Sequence, residues 1–185
     1  MRRVKWIVTG LLLVSTLGCG GGGSESGSST NYAGSFVPDA QNPGANTVYV
    51  TGSPGTGSNA SLVTLHVYVN NTSDVYGASF DVSFDSTKAQ FVNWTPGEVL
   101  EFGGQSVSYQ VNATTPGRLV VGVARTSGGV GVTVSEAKPL VHLTLRVTNT
   151  GSSAVRFTNP ALLNSQDPPA PKSGMTFFGG MLSAV

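Results

Sequence analysis

GASFDVSFDSTKAQFVNWTPGEVL, residues 77–100, begins as a strict alternation, passes through a polar corner and reaches a Trp just before Pro-Gly. Apolar and polar residues alternating at period two mark a half-buried strand, because successive side chains leave a strand on opposite sides. Phe80, Val82 and Phe84 therefore point one way, and Ser79, Asp81 and Ser83 the other. Asp85 to Lys88 turns the chain, and Pro96-Gly97 turns it again. The stretch reads mostly as scaffold, with Ser79 and Asp81 as its candidate contact surface.

The same pattern extends outward in both directions. Strands are predicted at 47–51, 61–70, 76–85, 89–94, 106–112, 118–125, 140–148, 154–158 and 175–185, separated by segments rich in Gly, Pro, Asn, Asp and Ser. The best helical candidate is a single turn at Ser135 to Lys138. Nine short strands in about 140 residues imply an all-β, two-sheet sandwich of jelly-roll topology. A domain of that size buries roughly two thirds of its unfolded surface, enough to fold without covalent staples.

Alternation also assigns faces in the later strands. Val107, Tyr109 and Val111 point inward, against Ser106, Ser108, Gln110 and Asn112. Leu119, Val121 and Val123 point inward, against Arg118, Val120, Gly122 and Ala124. That last outer face is small and apolar where a purely solvated one would carry Thr, Lys or Glu. It is either a flat platform for another molecule or a surface covered by a loop or the tether.

The N-terminal quarter has a different composition. MRRVKWIVTGLLLVSTLGC opens with basic residues, continues through an apolar run too short to span a bilayer, and ends at the chain's single cysteine. Ser15-Thr16-Leu17-Gly18-Cys19 resembles a relaxed bacterial lipobox, which implies lipidation of Cys19. An ordinary secretory signal with an incidental Cys is the blander alternative. Residues 20–45 are rich in Gly and Ser and read as a flexible tether with a reach of roughly 25–30 Å. The expected organisation is a lipoprotein signal peptide at 1–18, the lipidated Cys and tether at 19–45, and the sandwich at 46–185. Gly20 lacks the acidic character of an inner-membrane retention signal, so the expected location is the outer membrane or cell surface. Without Arg2, Arg3 and Lys5 the chain keeps seven basic residues against nine acidic ones, and no basic footprint for nucleic acid remains.

Several segments carry a family resemblance. The run from Phe84 to Leu100 resembles the part of bacterial cohesin modules in which an aromatic-Asp-Pro corner leads through a strand to Pro-Gly-Asp/Glu-Leu-Leu. Residues 108–112, 117–121, 140–147 and 180–185 follow in the family's order. Ser86 stands where the corner Pro is usual, Lys88-Ala89 replace an apolar pair, and Pro139 replaces a small or apolar residue. The resemblance implies a nine-stranded jelly roll whose third, fifth, sixth and eighth strands bind dockerin modules, usually carried by polysaccharide-degrading enzymes. Calcium in such a complex belongs mainly to the dockerin, and this chain has no D-x-D-x-D-G run. The implied partner-binding residues are Ser79, Asp81, Ser108, Gln110, Val120, Gly122, Ala124 and Arg156. No cofactor or metal site is implied in the chain itself.

Other chemistries find less support. His66 and His142 each lie inside a strand pattern without Cys or paired carboxylates, and read as packing or surface residues. Glu98 and Glu101 flank an apolar pair after a turn, but no cleft is apparent for acid/base catalysis, and a non-enzymatic module is expected. Direct polysaccharide binding is the serious alternative. It needs coplanar exposed aromatics, whereas Trp94 is the lone Trp after the signal segment and no strip of three appears at period two. A structural envelope lipoprotein without a dockerin partner is the third reading.

Overall fold

A computed structural model of the chain describes residues 32–127 and 129–185. The expected signal segment, Cys19 and the first part of the expected tether lie outside the described residues. Among those described, thirteen strands form: β1 Gly34–Pro38, β2 Thr47–Pro54, β3 Leu62–Asn70, β4 Thr72–Val75, β5 Gly77–Ser83, β6 Ala89–Pro96, β7 Val107–Thr115, β8 Arg118–Arg125, β9 Val132–Val134, β10 Lys138–Val147, β11 Gly151–Leu163, β12 Thr176–Phe178 and β13 Gly180–Ala184.

These strands build two main sheets. The larger runs β1-β13-β11-β5-β8-β7, the smaller β12-β2-β3-β10-β6, and β4 and β9 pair separately. Every pairing is antiparallel except that of β12 with β2. The inner face of the larger sheet contributes Phe80, Val82, Leu119, Val121, Val123, Val155, Leu162 and Leu182, all buried. The smaller sheet meets it with Val48, Val50, Val63, Leu65, Val67, Val69, Leu143 and Leu145. One apolar layer between two sheets is what period-two alternation demands of both.

Each of the nine expected strands is present, and the count of nine is corrected to thirteen. The expected C-terminal strand is two, β12 and β13, which serve different sheets. Strand β4 overlaps the polar segment expected between the second and third strands, and β9 lies between the strands expected at 118–125 and 140–148. Ser135 to Lys138 holds no helix, and the single helical turn among the described residues is Gly57–Asn59.

Strand β1 lies inside the stretch expected as tether. It pairs with β13 from Gly34↔Ala184 to Pro38↔Gly180, and so extends the larger sheet by one strand. Farther along the same stretch, the Asn70 side-chain amide donates to the carbonyls of Pro43 and Gly44. The ordered domain thus starts before Asn46. Strand pairing satisfies backbone groups whatever the side chains are, which is how a Gly/Ser-rich segment can still join a sheet edge.

Candidate functional site

The outer face of the larger sheet gathers the residues that alternation selected. Strand register sets them in rows. Gln110, Gly122 and Ser79 lie side by side across β7, β8 and β5, with Ala161 of β11 next to Ser79. The neighbouring row is Asn112, Val120, Asp81 and Thr158, and a third joins Ser108, Ala124 and Gly77. Ser79, Ser108, Gln110, Asn112 and Thr158 are exposed, while Val120, Gly122 and Ala124 are half-buried. Small residues run along β8 with hydrogen-bonding side chains on either side. Gly122 sits in the open, for a Cβ built there meets only the Gln110 Cβ, 4.0 Å away.

Asp81 departs from expectation. It is on the outward side, but its side chain is 8% exposed, beneath the half-exposed Arg118. Arg118 Nη2 lies 2.6 Å and Nε 3.2 Å from Asp81 Oδ2, and Asn159 Nδ2 lies 3.3 Å from the same oxygen. Asn159 reaches it from an irregularity in β11 between Thr158 and Ala161, where Asn159 has φ 50° and Pro160 follows. Bulges admit residues that a regular ladder excludes. Asp81 is therefore a buried anchor of the face, where an outward contact residue was expected.

Arg156 sits one row along from Asp81, across Ser83 from Arg118, and is exposed. Its Nη1 donates to Asp39 Oδ2 at 2.9 Å and to the Gly180 carbonyl at 3.1 Å, tying β11 to the residue after β1. On the far side of the sheet, Val37, Met181 and Ala154 align across β1, β13 and β11. Val37 and Met181 are exposed apolar residues, which makes that flank greasier than the centre.

Sequence reasoning missed a device at the opposite end. Arg125 ends β8 pointing inward and is buried. Its guanidinium donates to three carbonyls, those of Leu100 (2.9 Å), Phe102 (2.6 Å) and Val130 (2.9 Å). Charge-assisted bonds of this kind hold a loop firmly. They fix two loops beyond the Ser108–Ala124 end of the face, where Phe102 is 73% and Val130 79% exposed. The inward parity of Arg125 after Leu119, Val121 and Val123 was the available signal.

Trp94 and Tyr109 stack on each other across the β6 and β7 edges, with ring centroids 5.5 Å apart and planes 29° apart. Tyr109 Oη donates to the Gly97 carbonyl at 3.0 Å. Burial, reinforced by Glu101, pushes the Tyr109 phenol up to about 12. Both rings pack against the core, so Trp94 is a plug and not part of an exposed stacking strip.

His66 and His142, far apart in sequence, are directly opposite each other on β3 and β10. They lie on the outer face of the smaller sheet. Burial, with His142 alongside, pushes His66 below its ordinary value; burial does the same to His142 against the opposing pull of Glu98. Among the described residues no three His, Cys, Asp or Glu side chains gather where they could hold a metal ion.

A two-sheet sandwich with one broad, sparsely charged face defines a jelly-roll module of the cohesin kind, and residues 47–167 match the family described as Cohesin domain. The chain belongs to the cohesin domain family, whose members are non-enzymatic scaffolding modules. No curated protein matches the chain. Among solved structures, it is similar to the sixth cohesin of Acetivibrio cellulolyticus scaffoldin B, crystallised in complex with a Cel5 dockerin mutant. That match has 18% identity and a TM-score of 0.54, covering 80% of this chain and 96% of the other. The second type II cohesin module of the A. cellulolyticus adaptor scaffoldin ScaA matches at 15% identity and a TM-score of 0.56, covering 82% and 89%. CaCohA2 from Clostridium acetobutylicum matches at 16% identity and 0.52, covering 80% and 87%. These likenesses establish the fold.

Proposed function

We propose that the domain is a non-enzymatic docking module whose larger sheet takes a dockerin-type protein on its outer face. The observation that carries this reading is the face itself. Half-buried small residues of β8 form its centre, exposed Ser79, Ser108, Gln110 and Asn112 border it, and Arg118 and Arg156 are each neutralised by a carboxylate. An apolar centre with a hydrogen-bonding rim is the usual anatomy of a protein interface. Calcium in the complex would be the partner's. The stacked Trp94–Tyr109 pair is engaged internally, which favours a protein over a polysaccharide as the direct ligand. A link to polysaccharide degradation would come through the enzyme that the partner carries.

In the same proposal, Cys19 is acylated and residues from Gly20 onward tether the module to the outer membrane or cell surface. Incorporation of labelled fatty acid that disappears in Cys19→Ser tests the anchor. The docking reading is tested by capturing the organism's secreted proteins on the chain with and without calcium. Calcium-dependent retention of a dockerin-bearing enzyme supports it. Binding of the chain to insoluble cellulose or chitin, with no such capture, overturns it.

A further inference from the structure

The chain has two histidines, and folding brings them together from 76 positions apart. The Nδ1 atoms of His66 and His142 are 2.7 Å apart, the ring centroids 4.8 Å apart and the planes at 80°. Both rings are half-exposed on the outer face of the smaller sheet, away from the proposed docking face. Contact this short between two imidazoles requires a shared proton. Whichever ring donates it, the other offers a bare lone pair at the same point.

A metal ion can take the place of that proton. With metal–nitrogen bonds of about 2.0 Å, two cis ligands of a square-planar or octahedral ion lie ~2.8 Å apart, and two tetrahedral ligands ~3.3 Å apart. The observed separation fits the cis arrangement. Each lone pair must swing by roughly 45° to converge on such an ion, a rotation that half-exposed rings on a sheet surface permit. Ser53 Oγ lies 2.9 Å from His66 Nε2, the kind of outer partner that fixes the orientation of a ligating ring. Glu98 adds negative potential at His142.

We infer that His66 and His142 form an open, two-imidazole site for a divalent transition-metal ion, copper(II) by preference, with water in the remaining positions. Copper follows from the cis geometry and from its place at the top of the divalent affinity order for nitrogen ligands. The site stands on the sandwich alone and is independent of the docking reading.

The test uses the full chain carrying Cys19→Ser, so that the thiol does not compete, titrated with copper(II) chloride alone and followed by electron paramagnetic resonance and calorimetry. The expected result is one ion per chain with a tetragonal signal split by two nitrogens, and zinc binding weaker by about tenfold or more. His66→Gln and His142→Gln should each leave one nitrogen. Ser53→Ala should weaken binding by about tenfold. Circular dichroism establishes that each variant is folded. Should a histidine variant fail to fold, paramagnetic broadening across all assigned resonances of the chain with both histidines decides the matter. Broadening centred on His66 and His142 and their immediate neighbours supports the site, and broadening centred elsewhere overturns it. Copper binding that persists in the double His→Gln chain, or no two-nitrogen signal in the parent, also overturns it.

Discussion

Every hydrogen bond that the Asp81 side chain makes among the described residues falls on one oxygen, Oδ2, and the shortest comes from Arg118 at 2.6 Å. The pair is lopsided, with a nearly buried carboxylate under a half-exposed guanidinium. Removing the two partners therefore has unequal effects. Arg118→Ala strands a carboxylate away from water and is expected to cost about 1–2 kcal/mol, below the figure for a fully buried pair because solvent screens the arginine. Asp81→Asn should cost less, since the freed guanidinium turns to solvent. Urea unfolding of both variants checks the order.

The Arg125 clamp should be more costly to remove. Arg125→Ala leaves three carbonyls without their donor, and we expect a loss of about 3 kcal/mol. Arg125→Lys should recover only part of it, because one ammonium lacks the planar fork that reaches three acceptors. Hydrogen exchange should speed up around residues 100–104 and 129–131 in both variants, while β3 and β10 stay protected.

Tyr109 should ionise late. Its phenol is pushed up to about 12 by burial first and Glu101 second, from an ordinary value of 10.0. The folded value lies above the unfolded one, so the stability this group contributes is fully present below pH 10 and is lost as pH rises towards 12. Phenolate absorbance during alkaline titration should show a late-titrating tyrosine that Tyr109→Phe removes. Burial and Tyr68 also raise Tyr49, so one late component should remain in that variant.

Much of the larger sheet's outer face is legible in sequence because one rule suffices for it. Period-two alternation sorts Ser79 from Phe80 and Gly122 from Val121, and the sheets obey it. Properties that depend on which strand lies alongside are not legible in this way. Asp81 is buried because Arg118 and Asn159 arrive from β8 and β11, and alternation within β5 carries no trace of either. His66 looked isolated because its partner is set by the register of β3 with β10. β1 was hidden for another reason. Its strand character comes from pairing with β13, while its own Gly-Ser-rich surroundings read as tether.

The centre of the proposed docking face offers the most direct measurement. Gly122→Arg places a large cation where a Cβ meets only Gln110, so the fold should lose no more than about 1 kcal/mol. Calorimetry of the parent and variant chains against each calcium-loaded dockerin module encoded in the same genome should show one that binds the parent and binds Gly122→Arg at least about a hundredfold more weakly. Equal affinity in a folded variant would place the interface on another surface. No binding by any of those dockerins to the parent would contradict the docking role itself.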